Sequence, residues 1–122
     1  MITCEDGWSS PAHGQIKINV DGASSSTKIA ASAIARDANG CFIKAITCCS
    51  PIQNFTDISL QAEFLAMQLG HQLAKDMHGS DIIMEGDSLI MVKICNGDTS
   101  LIPWQLDSIF KPCIKLYSKE VE

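Results

Sequence analysis

Residues 15–24, QIKINVDGAS, carry the clearest structural signal in this 122-residue chain. Up to Asp21 the apolar and polar side chains alternate strictly, with Ile16, Ile18 and Val20 on one side and Lys17, Asn19 and Asp21 on the other. Strict alternation of this kind is typical of a strand with one buried face. We therefore predict a strand over residues 15–21 that ends on an acid. A turn should follow at Gly22 and the serine run 24–26.

Two more strands are predicted directly after this one. Residues 28–36 are rich in alanine and isoleucine, and the DANG segment at 37–40 is a hairpin signal because its glycine tolerates positive φ. Residues 41–49 then return as a third strand. Three consecutive strands joined by short turns predict an antiparallel meander.

A helix and a fourth strand follow the loop at residues 51–57. Apolar residues recur there at helical spacing, namely Ala62, Leu65, Ala66, Leu69 and Leu73. Asp57 or Ser59 would cap this helix. Residues 81–86, DIIMEG, are a short apolar strand reached through a helix, which favours parallel pairing with the first strand.

The remaining segments predict two helices and an extended arm. A short helix is expected over residues 89–95, and a further helix from Pro103 to about Tyr117, with Pro112 expected to kink or interrupt it. Residues 1–14 contain glycine, serine and proline and are predicted to be an extended N-terminal arm, so the domain would occupy residues 15–122. The element order predicts an α/β fold, with a mixed sheet flanked by helices.

Composition excludes several classes of protein. No apolar run approaches the roughly 20 residues of a membrane span, and the N-terminus lacks the features of a signal peptide. We therefore expect an intracellular protein, nuclear or cytoplasmic and not secreted, with no membrane partner. The six cysteines include no CxxC and are expected to be reduced, and the three histidines lack metal-ligand spacing. The net charge of −5 argues against a tight, non-specific nucleic-acid binder.

Three acids stand at informative positions. Asp21 ends the first strand, Glu63 lies in the first turns of the long helix, and Asp87 follows the fourth strand. If the first and fourth strands are parallel neighbours, Asp21 and Asp87 emerge side by side at the edge where α/β sheets bind ligands. Two carboxylates about 4 Å apart repel by about 4 kcal/mol at an effective dielectric near 20. Mg²⁺ or Mn²⁺ would relieve that repulsion.

Each acid also has a purely structural interpretation. Asp21 before glycine could form a turn, Glu63 could favour a helix N-terminus by its charge, and Asp87-Ser88 could cap the next helix. Taken alone, any one of the three is more often structural than functional. The prediction of a metal site depends on the three acids lying together.

The segments around these acids resemble a known family. They are WSSPAHGQIKINVDGASS, ARDANGCFI, QAEFLAMQLG, DIIMEGDSLIMVKICNGD and PWQLDSI, spread over Trp8 to Phe110. In this order they resemble the ribonuclease H-like domains of plants, including those of plant retroelements. The resemblance implies a mixed five-stranded sheet and Mg²⁺-dependent hydrolysis of the RNA strand of RNA–DNA hybrids.

The resemblance also implies roles for individual residues. By position, Asp21, Glu63 and Asp87 match three of the family's four metal-binding carboxylates, with Asp21 bridging two metal ions. Gly22, Ala23 and Ser24 would lie near the RNA strand, and Ser88 is a further candidate substrate contact. Recognition of the hybrid would depend on its shape and on 2′-OH contacts rather than on base edges.

The chain departs from the family pattern after the last predicted helix. The family continues with a fifth strand, a histidine-bearing loop and a final helix that carries the fourth carboxylate, and Asp107 does not match that acid. An inactive ribonuclease H-like module that binds nucleic acid or protein is therefore the alternative to an enzyme, and an unrelated α/β domain is a third. A missing fifth strand would leave the outer edge of residues 81–86 unpaired. We therefore expect self-association, or a partner chain that completes the sheet.

Overall fold

The computed structural model describes residues 2–4, 14–77 and 81–120, and for Cys4 and residues 114–120 the backbone alone. Its strands are β1 (Ile2–Cys4), β2 (Gln15–Ser24), β3 (Lys28–Arg36), β4 (Phe42–Pro51) and β5 (Asp81–Gly86). Its helices are α1 (Ile58–Lys75), α2 (Leu89–Cys95) and α3 (Asp107–Glu120), with single 3₁₀ turns at Thr99–Leu101 and Trp104–Leu106. Most of the predicted N-terminal arm, residues 5–13, lies outside the described residues.

The sheet has the strand order β1-β5-β2-β3-β4. Strands β2, β3 and β4 form the predicted antiparallel meander, in which Asp21 lies opposite Ser32. Strand β5 runs parallel to β2, as predicted, and Glu85 lies opposite Asn19. The two strands that lead to Asp21 and Asp87 are therefore direct neighbours.

The first turn lies later in the chain than the sequence predicts. Strand β2 continues through Gly22 to Ser24, which pairs with Ile29. The turn forms instead around Ser25, whose hydroxyl accepts hydrogen bonds from the backbone N–H groups of Thr27 and Lys28. The predicted position of the turn was wrong because Ser24 remains in the strand and only Ser25 makes the turn contacts.

The prediction of a bare outer edge on β5 is wrong. Strand β1 pairs with β5 in parallel, with Ile2 opposite Met84 and Thr3 opposite Glu85. The Ile2 side chain is buried in the core. The sheet therefore has its fifth strand, which comes from the N-terminus rather than from the segment after the last helix. An unpaired edge at residues 81–86 no longer supports self-association.

Helix α1 packs closely on the sheet. It contacts β2 and β3, whose buried residues include Ile18, Val20 and the alanines 31, 33 and 35. A Cβ at Gly70 would lie 2.7 Å from Val20 Cγ1, so glycine lets the helix approach the strand. The rings of Phe64 on α1 and Phe110 on α3 stack with centroids 4.0 Å apart, which joins the two helices.

Helix α3 continues through Pro112, so the interruption expected there does not occur. The proline cannot donate to the carbonyl four residues earlier, but the neighbouring turns keep the helical path. The 3₁₀ turn Trp104–Leu106 precedes the helix, and Pro103 caps that turn. None of the helices in the described ranges is long and apolar enough to cross a membrane.

Deleting residues 2–4 should cause the chain to self-associate, because the outer N–H and C=O groups of β5 would lose their partners. Loss of the buried Ile2 side chain should also lower the free energy of unfolding by about 1.5–3 kcal/mol. Light scattering after size exclusion and urea unfolding would measure the two effects.

The matched control for this deletion is Ile2→Val, which keeps the strand and removes one methylene. It should retain the oligomeric state of the parent and cost about 0.5–1.5 kcal/mol. A deletion variant with the parent's mass and stability would show that β1 does not protect this edge.

Candidate metal centre

Three carboxylates converge at one end of the sheet. Asp21 on β2, Glu63 on α1 and Asp87 just after β5 each offer an oxygen, and these oxygens all lie within 4.8 Å of one another. The residues are more than 20 positions apart along the chain, so only the tertiary fold brings them together. The geometry is the one the sequence predicts, and the role of these acids as metal ligands remains a proposal.

The end of the pairing between β2 and β5 makes room for the cluster. The last paired residues are Asn19 and Glu85. Asp21 and Asp87 each lie two residues further on and are exposed. Glu63 approaches them from α1 and is half-buried.

Gly22 allows α1 to place Glu63 there. A Cβ on Gly22 would lie 2.5 Å from the carbonyl carbon and oxygen of Ala62 and 2.8 Å from the backbone nitrogen of Glu63. Any side chain would therefore push the helix away, because these are backbone atoms that cannot rotate aside. The backbone N–H of Gly22 also donates a hydrogen bond to the Glu63 carboxylate.

The start of α1 is held by side chains that bind its backbone. Asp57, in a left-handed conformation at φ 45°, accepts a hydrogen bond of 3.2 Å from the N–H of Leu60. Gln61 is 4% exposed, and its side-chain amide donates to the carbonyls of Asn54 and Thr56. These contacts fix the first turn of the helix, and with it the position of Glu63 two residues later.

The cluster is electrostatically unfavourable without a cation. The pKa of Glu63 is raised to about 7, first by burial, then by the negative charges of Asp87 and Asp21. The hydrogen bond from Gly22 lowers it only in part. Near neutral pH the Glu63 carboxyl of the metal-free site is therefore protonated for part of the time.

The donor set fits a hard divalent cation. All three groups offer carboxylate oxygens, the ligands that Mg²⁺ and Mn²⁺ prefer. Burial, and then repulsion by Asp87 and Asp21, favour the protonated form of Glu63, and a bound cation would offset both effects by replacing the proton. The residues present therefore fit the metal that the sequence implies.

The predicted substrate contacts fall into two groups. Gly22 and Ala23 line an open cleft of about 370 Å³ beside Asp21, and Ser24 follows at the exposed end of β2. The hydroxyl of Ser88 instead accepts a hydrogen bond of 3.2 Å from the N–H of Met91 and caps α2. The helix-capping interpretation therefore holds for Ser88, and its contact with substrate remains a prediction.

Sequence reasoning missed two polar residues of this cleft. Ser32 on β3 and Thr47 on β4 lie in one cross-strand row with Asp21 and line the same cleft. Ser32 interrupts a run of alanine and isoleucine in β3, which was a signal that the strand has a polar face. The row could be identified only once the register of three strands was known.

Comparison with known proteins agrees with this architecture. A family model described as reverse transcriptase-like matches residues 19–122. No curated protein sequence matches the chain.

Two solved structures are similar in fold. RNase H1 from the halophilic archaeon Halobacterium salinarum NRC-1 is 19% identical with a TM-score of 0.63, over 88% of this chain and 76% of that one. LC11-RNase H1 in complex with an RNA/DNA hybrid is 13% identical with a TM-score of 0.70, over 88% of this chain and 79% of that one. Likeness at these identities concerns the fold alone, and it confirms the predicted ribonuclease H-like α/β class.

Glu63→Gln should stabilise the metal-free chain at pH 8. Between the ordinary pKa of 4.5 and the raised pKa of about 7, folded Glu63 holds a proton that the unfolded chain has lost, so stability falls as pH rises through this window. Glutamine removes that loss. We expect a gain of about 1–2 kcal/mol at pH 8, reduced from the full shift because Glu63 is only half-buried.

Urea unfolding in EDTA at pH 4 and pH 8 would test this, with Asp107→Asn on α3 as the control. At pH 4 the effect of Glu63→Gln should vanish, because the carboxyl of the parent chain is then largely protonated in both states. An equal gain at both pH values would show that folding does not raise the pKa of Glu63.

Proposed function

The chain belongs to the reverse transcriptase-like family, and on this basis we propose that it is a divalent-metal-dependent nuclease of the ribonuclease H type. The observation that carries the proposal is the convergence of Asp21, Glu63 and Asp87 at the end of two parallel strands. The substrate we propose is the RNA strand of an RNA–DNA hybrid, since a similar fold is seen with such a hybrid bound.

The metal would be Mg²⁺ or Mn²⁺, in two ions, with Asp21 shared between them and Glu63 and Asp87 each serving one. Bound ions of this kind activate water and stabilise the leaving oxygen of a phosphodiester. The chain's part is to hold the ligands in place. Glu63 would release its proton when the metal enters, while the N–H of Gly22 keeps its carboxylate directed at the site.

Substrate would lie along the open cleft beside Asp21. The backbone at Gly22 and Ala23 is accessible there because the neighbouring residues are small, and the hydroxyls of Ser32 and Thr47 are available to phosphate or sugar oxygens. Ser24 and Ser88 would complete the contacts with the RNA strand. Because the chain carries a net charge of −5, bound cations rather than a basic face would offset the phosphate charge.

An inactive binding module is the second candidate, and one observation favours it. Within the described residues the acidic cluster contains three carboxylates. The resemblance to ribonuclease H-like domains implies a fourth. A site with three ligands could bind metal and hybrid without completing hydrolysis.

Asp21→Asn should reduce cleavage of a labelled RNA–DNA hybrid in Mg²⁺ by at least about 100-fold, because the shared metal ligand loses its charge. A time course of product formation at saturating Mg²⁺ would measure the change. Asp107→Asn is the matched control, since Asp107 pairs with Lys111 at 3.4 Å on the surface of α3. It should retain activity within about twofold.

The same assay distinguishes the two candidates. Cleavage by the parent chain that Asp21→Asn abolishes supports the enzyme. Metal-dependent binding of the hybrid without any product supports the inactive module. Cleavage that survives Asp21→Asn would contradict the assignment of Asp21 in either case.

Three broader sequence predictions stay with this proposal. A plant or retroelement origin and a nuclear or cytoplasmic location rest on the resemblance and on composition alone. Self-association, or a partner chain that completes the sheet, also stays a prediction. The unpaired β5 edge that first suggested it is absent, because β1 pairs with β5.

A further inference from the structure

A buried ion pair lies beneath the metal centre. The ammonium of Lys17 is 3.2 Å from Oε1 of Glu85, and the two side chains are 3% and 13% exposed. Removing two charges from water is costly, so a buried pair of this kind is weak evidence for stability. Its presence so close to the carboxylates points to another role.

The pair joins β2, which carries Asp21, to β5, which leads to Asp87. Lys17 lies four residues before Asp21 on β2, and Glu85 lies two residues before Asp87 on β5. In the sheet Lys17 is opposite Ile83, so its bond to Glu85 runs diagonally across the strand pair. The pair therefore links β2 to β5 just before the strands separate around the site.

Apolar patterning alone defines the register of β5 poorly. Ile82, Ile83 and Met84 are three consecutive apolar residues, so burial does not distinguish strongly between neighbouring alignments. A slip of two residues would keep every side chain on its own face. It would also move Asp87 by about 6.6 Å relative to Asp21, since a strand advances about 3.3 Å per residue. That shift exceeds the 4.8 Å within which the three carboxylates now lie.

Two other polar features between these strands constrain the register less. The Gln15 side chain donates to Asp81 at 3.0 Å, but this contact is exposed and lies at the far end of the strands. Asn19 lies opposite Glu85, and its amide atoms and the Oε2 of Glu85 are buried without a hydrogen-bond partner among the residues that the structure describes. Within the described residues, the Lys17–Glu85 pair is thus a buried, charged contact between these two strands next to the site.

We propose that Lys17 and Glu85 are positioning residues, which set the register of β2 and β5 and thereby the separation of Asp21 and Asp87. The inference rests on the proposed metal-dependent function. Its consequence is specific: loss of the pair should weaken metal binding more than it weakens the fold.

The test is the double variant Lys17→Met with Glu85→Met, which replaces both charges by apolar side chains of similar length. Mn²⁺ affinity would be measured by isothermal titration calorimetry, and the urea midpoint would be measured in EDTA on the same samples. We expect the Kd for Mn²⁺ to rise about tenfold or more, as for residues that orient metal ligands. The urea midpoint should be unchanged or higher.

A surface ion pair provides the matched control. Lys44 on β4 and Asp76 after α1 are 3.0 Å apart and about half exposed. Lys44→Met with Asp76→Asn should leave the Kd for Mn²⁺ within about twofold of the parent value. A second variant, Lys17→Met with Glu85→Gln, keeps the shape of the Glu85 side chain and serves if the first double variant does not fold.

The outcomes separate this inference from the proposed function. A parent chain that binds no Mn²⁺ would overturn the proposed function, and the inference with it. A parent that binds Mn²⁺, with a folded double variant of equal affinity, would overturn the positioning role alone. A higher Kd for Mn²⁺ with an unchanged or higher urea midpoint supports it, because loss of a merely structural pair would lower both the affinity for Mn²⁺ and the urea midpoint.

Discussion

The passage of α1 over Gly22 is the contact that makes the acidic site possible. The helix backbone at Ala62 lies where a Cβ on Gly22 would be, so the strand and the helix touch without any intervening side chain. Asp57 and Gln61 hold the first turn of the helix in this position. Glu63, the residue after Ala62, can therefore reach the end of β2. A side chain at position 22 would push the helix outward and move Glu63 away from the other two acids.

This arrangement conflicts with the ordinary preference of charged groups to stay apart and hydrated. Burial and the two neighbouring acids raise the pKa of Glu63 to about 7, so the folded chain holds a carboxyl in an unfavourable environment. Natural proteins place like charges together in a partly buried position chiefly at functional sites. The surrounding structure is otherwise regular, with alanine-rich β3 and a closely packed α1 providing a rigid support.

The sheet itself is completed in an unexpected way. Three residues at the N-terminus occupy the edge beside β5, and β5 becomes an interior strand between β1 and β2. An interior strand has partners on both sides and is less free to slip or fray than an edge strand. Pairing on both sides thus holds β5 in place, and with it the position of Asp87 beside Asp21.

Elements with local signals could be predicted from the amino-acid sequence without any coordinates. The strands at 28–36 and 81–86 and the helix at 89–95 have the predicted bounds, because alternation, turn residues and caps are read from adjacent residues. The three acids could also be identified, since each stands at the end of an element or in the first turns of one.

By contrast, Ile2–Cys4 is recognised as a strand only in the folded chain, because a three-residue segment has no periodicity and its partner lies about 80 positions away. The same is true of the contact at Gly22 and of the Lys17–Glu85 pair, which depend on which strands are neighbours and in what register.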